Sequence, residues 1–138
     1  MTGTRRVSPA GDGHPNIPAR VRVSIRMQIP SGKRKEARSI LAAMIGRIRL
    51  EEGCLSCRLY QDTMEAKSLM FEEIWADEKR FQKHLRSEEF RNVLLVVELA
   101  IKSPEIRFDH IARSAGIDTI EETRKRTDAL PDANGLSV

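Results

Sequence analysis

Val21-Arg22-Val23-Ser24-Ile25-Arg26-Met27-Gln28-Ile29 alternates apolar and polar side chains over nine residues. That period of two predicts a strand with one buried face. Pro30 ends it, because proline has no N–H to give to a ladder. Ser31 is expected to cap a helix. Ala37, Ile40, Leu41, Met44, Ile45 and Ile48 then recur at steps of three and four, a single apolar stripe on that helix. Gly53 is the expected helix C-cap.

Downstream the period returns to two. Leu55, Cys57 and Leu59 are expected on one face of a second strand over 55–62, with Ser56, Arg58 and Tyr60 on the other. After turn-compatible residues at 62–66, a third strand runs from Ser68 to Trp75. Leu69, Phe71, Glu73 and Trp75 share one of its faces, Met70, Glu72 and Ile74 the other. Asp77 is a helix cap, and Ser87-Glu88-Glu89 restarts a capping pattern, so the second helical region bends or breaks there. Phe81, Leu85, Phe90, Val93, Leu94 and Val97 are its apolar positions. Ile106, Phe108 and His110 alternate with Arg107, Asp109 and Ile111 in a fourth strand. Residues 117–129 read as a surface helix or short strand.

The order strand–helix–strand–strand–helix–strand gives an α+β, ferredoxin-like βαββαβ fold. Its sheet is antiparallel, and right-handed crossovers put both helices on one face. The domain is expected over 20–113, with a flexible arm at 1–19 and a C-terminal extension at 114–138 that could clasp a partner subunit. Met70 and Ile74 leave the second sheet face wanting a cover. A second copy's sheet is the expected cover, making a homodimer, a dimeric α+β barrel. Two copies are further expected to bury the surface bearing Glu73 and Trp75, leaving a dry hollow beside His84.

Length and composition suit one domain: 138 residues, 40% hydrophobic, 32% charged and only 4% aromatic. The core must therefore be mainly Leu, Ile, Val and Met. A net charge of +4 comes from mixed charges, 24 basic against 20 acidic, weak grounds for nucleic-acid binding. Lys33-Arg34-Lys35 has no aromatic platform beside it and reads as a solvated helix face. No apolar run is long enough to cross a membrane, and the N-terminus lacks a secretory pattern, so the expected compartment is cytoplasmic. Cys54 and Cys57 form C-x-x-C at a strand entry, where residues three apart should point to opposite faces. No second pair completes a metal site, so neither redox nor metal use is expected. His110 is expected to be a buried, hydrogen-bonded histidine, and His14 carries no signal.

The residues with chemistry cluster around Glu73-Ile74-Trp75 and His84. The Glu52-Gly53-Cys54 turn, Glu73-x-Trp75 closing the third strand, and His84 followed by Ser87 and Phe90 together resemble the antibiotic biosynthesis monooxygenase family, over roughly 20–113. The resemblance implies oxidation of a quinol or other electron-rich aromatic by O₂ without a metal, flavin or haem. A deprotonated hydroquinone can itself pass an electron to O₂. The protein then supplies an apolar pocket, a base and donors for developing anionic oxygen. In that scheme His84 is the catalytic base and Glu73 orients it or takes its place. Trp75 forms a wall and offers an N–H, and Tyr60, Arg58 and Phe71 contact the substrate.

The chain also departs from the family. Members acting on polyketide aromatics carry an asparagine where this chain has Phe71. Quinol-type members carry a second histidine where it has Glu89. The haem-degrading branch needs an asparagine in the first strand, absent here, and an axial histidine where Leu94 stands. Two further readings follow. One is a ligand-binding or regulatory dimer on the same fold. The other is a purely structural dimer in which Glu73 and His84 satisfy each other.

Overall fold

The computed structural model describes residues 18–129. Most of the expected arm, His14 and the residues after 129 lie outside that range. The elements are β1 (Arg20–Gln28), α1 (Ser31–Ile48), β2 (Cys54–Gln61), β3 (Ser68–Trp75), α2 (Glu78–Leu85), α3 (Glu88–Val97), β4 (Glu105–Ile111) and α4 (Ile117–Ala129). No helix among the described residues is long and apolar enough to cross a membrane.

The four strands form one sheet in the order β2-β3-β1-β4, with every neighbouring pair antiparallel. Each β-α-β half is thus split by a strand of the other half, and the fold is ferredoxin-like. Val21 lies opposite Trp75, Val23 opposite Glu73 and Ile25 opposite Phe71. The alternation of β1 and β3 therefore lines up one apolar face. Helices α1, α2 and α3 cover it, and α1 packs on α3. The core joins Val21, Val23, Ile25 and Met27 to Leu69, Phe71 and Trp75, roofed by Leu41, Ile48, Phe90 and Val93, all buried.

The caps follow elementary rules. Asp77 accepts a hydrogen bond from the Arg80 N–H at the start of α2, and Ser87 accepts one from the Phe90 N–H at the start of α3. The break at Ser87 is real and splits the second helical region in two. Helix α1 begins differently from expectation. Pro30 occupies the cap position without a side-chain bond, and Ser31 is already helical. Gly53 does not end α1, which stops at Ile48. It sits at φ 89°, in the turn that enters β2, a conformation only glycine adopts cheaply.

Three expectations about faces need correction. A bulge between Cys54 and Ser56 inserts Leu55 as an unpaired residue, so Leu55 turns outward and is exposed. The same bulge places Cys54 opposite Trp75 and Cys57 opposite Glu73, so the two cysteines share one face rather than opposing ones. His110 lies on the helix side of the sheet but at its open margin. It is half exposed and bonded to Glu78 at 2.6 Å.

The surface bearing Glu73 and Trp75 is covered by this chain's own helices, so a partner is not what buries it. The opposite face is largely charged. Arg22 pairs with Glu72 at 3.7 Å and Arg26 with Glu105 at 3.8 Å, with Arg107 and Asp109 alongside. Helix α4 stands apart, every side chain from Ile117 to Arg126 being exposed.

Candidate active site

The sheet and the helices meet around one buried imidazole. His84 enters from the last turn of α2, and Glu73 and Trp75 rise from β3. Glu73 and Trp75 have no exposed surface, and His84 is 1% exposed. His84 Nε2 lies 2.7 Å from Glu73 Oε2, and the Trp75 indole N–H donates to Glu73 Oε1 at 2.9 Å. Each carboxyl oxygen of Glu73 thus has its own partner, as a buried polar group requires. The His84 and Trp75 rings stack with centroids 4.5 Å apart, and Phe90 meets His84 edge-on at 5.1 Å.

The other imidazole nitrogen faces a residue the sequence reading passed over. His84 Nδ1 lies 3.0 Å and 3.2 Å from the two carboxylate oxygens of Glu51. Glu51 sits in the turn after α1, and its side chain is 24% exposed. The order Trp75–Glu73–His84–Glu51 therefore runs from the sealed interior to solvent. Glu51 is its outlet.

The turn that carries Glu51 is pinned from both sides. The Ala76 N–H donates to the Gly53 carbonyl at 2.8 Å. The Arg80 guanidinium donates to Glu52 at 2.9 Å and to Asp77 at 3.0 Å. The Arg80 stem lies so close over Gly53 that a Cβ there would overlap its Cδ. A glycine is needed here for space as well as for backbone angle.

Charge follows this geometry. Burial alone would push the His84 pKa down, but the hydrogen bond and charge of Glu73, then those of Glu51, outweigh it and hold the imidazole above its usual value. Burial raises the Glu51 carboxyl above the ordinary carboxylate range, its bond to His84 only partly offsetting this. A carboxylate whose pKa burial has raised is a stronger proton acceptor than a free one.

The remaining predicted site residues scatter. Phe71 is fully buried in the core. Arg58 and Tyr60 pair with Glu72 and Met70, which places them on the face away from the helices and from His84. Three depressions formed by described residues have linings that include neither Trp75 nor His84. Among the described residues, no three His, Cys, Asp or Glu side chains are grouped as metal ligands would be.

Fold and site together define a small ferredoxin-like protein with a hydrogen-bonded Glu51–His84–Glu73–Trp75 chain between its sheet and its helices. Residues 20–94, 75 of the 138, match the antibiotic biosynthesis monooxygenase family, and the chain belongs to that family. A conserved protein from Methanosarcina mazei is 28% identical, with a TM-score of 0.63 over 67% of this chain and 93% of its own. A protein from Mycobacterium tuberculosis is 25% identical, with a TM-score of 0.64 over 71% of this chain and all of its own. A Deinococcus radiodurans protein named for the same family shares the fold at 16% identity, with a TM-score of 0.63 over 70% of this chain and 97% of its own. A search of curated proteins finds no match.

Proposed function

We propose that this chain oxidises an electron-rich aromatic of the quinol type with O₂, using the Glu51–His84–Glu73 relay to take up the ring hydroxyl proton. The observation that carries the reading is the imidazole held between two carboxylates, one sealed and one open to solvent. Glu51 is the group that meets the substrate. His84 and Glu73 are positioning residues, since neither has surface to offer. For a simple hydroquinone the overall change is C₆H₆O₂ + O₂ → C₆H₄O₃ + H₂O. One oxygen atom enters the ring, and the other leaves as water with two hydrogens. The phenolate supplies the electrons and the protein supplies the proton acceptor.

Oxygen uptake with a panel of hydroquinones tests this. Turnover above autoxidation is expected from the wild type, falling about a hundredfold or more in Glu51→Gln. Uptake no faster than in buffer, or unchanged in Glu51→Gln, contradicts it. A second reading, a structural relay without chemistry, is favoured by one observation: Glu73, His84 and Trp75 expose almost nothing. It predicts that relay variants lose stability while no aromatic is consumed.

A further inference from the structure

Along the outer edge of β2, where α1 ends, runs a hollow of about 420 Å³ lined by Arg49, Cys54, Leu55, Ser56, Cys57 and Arg58. Its volume falls in the range of small-molecule sites. The β-bulge shapes its lining, since the extra residue Leu55 is unpaired and exposed there. Arg49 is fixed at one wall, its Nε donating to the Cys57 carbonyl at 2.9 Å. Arg58, exposed, stands at the other.

Neither arginine of this hollow is neutralised by an ion pair, although Glu72 stands opposite Arg58 across the strands. Arg22, Arg26, Arg80, Arg91 and Arg107 each lie in an ion pair. Among the described residues, neither Arg49 nor Arg58 has a carboxylate partner. Guanidinium forks are suited to carboxylates, which they bind through paired hydrogen bonds. Between the arginines lie Leu55 and two thiols. Cys57 is buried behind this wall, while the half-buried Cys54 thiol, pushed up by burial, stays neutral and behaves as small apolar surface beside Leu55. Two cations framing apolar atoms match a small ring bearing one acidic group.

The hollow also adjoins the relay. Cys57 lies directly opposite Glu73 and Cys54 opposite Trp75, and the Cys54 N–H bonds back to the Glu51 carbonyl at 3.1 Å. We propose that this groove binds the carboxylate of a small aromatic acid, with Arg49 and Arg58 as its anchors and the ring turned towards Glu51. That the ring is an oxidisable one rests on the function proposed above; the binding of the acid does not.

The test is an NMR and calorimetric titration of the full chain with 2,5-dihydroxybenzoate and, separately, with uncharged hydroquinone. The acid should bind about tenfold more tightly, the lower range for a charge-assisted hydrogen bond, with amide shifts centred on 49–58. Arg58→Gln, an exposed change that leaves the fold intact, should abolish that preference. Equal binding of the two compounds, no binding of the acid, shifts centred elsewhere, or an unchanged preference in Arg58→Gln overturns the proposal. Oxygen uptake on the same samples separates the two ideas. An acid that binds at this groove but is never oxidised upholds the groove and removes the monooxygenase reading.

Discussion

Replacing His84 with alanine strands Glu73, and the size of that effect can be worked from the structure. Glu73 has no exposed surface, and His84 and Trp75 are its two side-chain partners. Taking one partner from a buried ion pair costs about 3–5 kcal/mol, because the remaining charge stays desolvated. Loss of the ring contacts with Trp75 and Phe90 adds about 1 kcal/mol. His84→Ala should therefore cost about 4–6 kcal/mol, against a total stability of about 5–15 kcal/mol for a domain of this kind. Glu51→Gln should cost no more than about 1 kcal/mol, since water can reach that end of the relay. Urea unfolding followed by fluorescence is the assay. Trp75 is the single tryptophan and lies within the site. Adding Glu73→Gln to His84→Ala removes the stranded charge and should recover about 2 kcal/mol. A cost for His84→Ala below about 1.5 kcal/mol, or no recovery in the double variant, would refute the reasoning.

Three further outcomes are expected. Gly53→Ala should lose about 2–4 kcal/mol in urea unfolding, since φ 89° penalises any Cβ by about 1–2 kcal/mol and the new methyl must displace the Arg80 stem; Arg80→Ala in the same chain should return part of that loss. Ser87→Ala should cost about 1 kcal/mol of stability as the α3 cap is lost. The folded pKa values of His84 and Glu51 are both raised, so the folded state favours their protonated forms. Their contribution is full below their unfolded values and is lost as pH rises through the folded ones. Melting temperature should accordingly fall between mildly acidic and alkaline pH, and His84→Gln should flatten that slope.

Much of the architecture was legible because single-residue chemistry decided it. Alternation in β1 and β3 put Glu73 and Trp75 on the face of Leu69 and Phe71, and Asp77 and Ser87 announced two helix starts through their capping oxygens. The β2 face was not legible, because a bulge needs only one extra residue. Leu55 carries no mark that separates it from a paired neighbour. Once it slips out, Cys54 joins Cys57 on the face that alternation denied it. Glu51 was hidden for a different reason. It lies in a turn, where spacing says nothing about direction, and only the closing of that turn by Gly53, Ala76 and Arg80 brings it to His84. The expected cover for Glu73 was misassigned because both sheet faces carry apolar residues on β3. The charged residues of β1 and β4 mark the face that the described helices leave open.

The relay itself is tested most directly by following the two ring nitrogens of His84 with ¹⁵N NMR across pH. The arrangement predicts a midpoint above the ordinary histidine value of about 6.5, with both nitrogens protonated below it and each held by a carboxylate. It also predicts that Glu51→Gln lowers the midpoint. A midpoint at or below the ordinary value, with one nitrogen bare at mildly acidic pH, would contradict an imidazole clasped between Glu51 and Glu73.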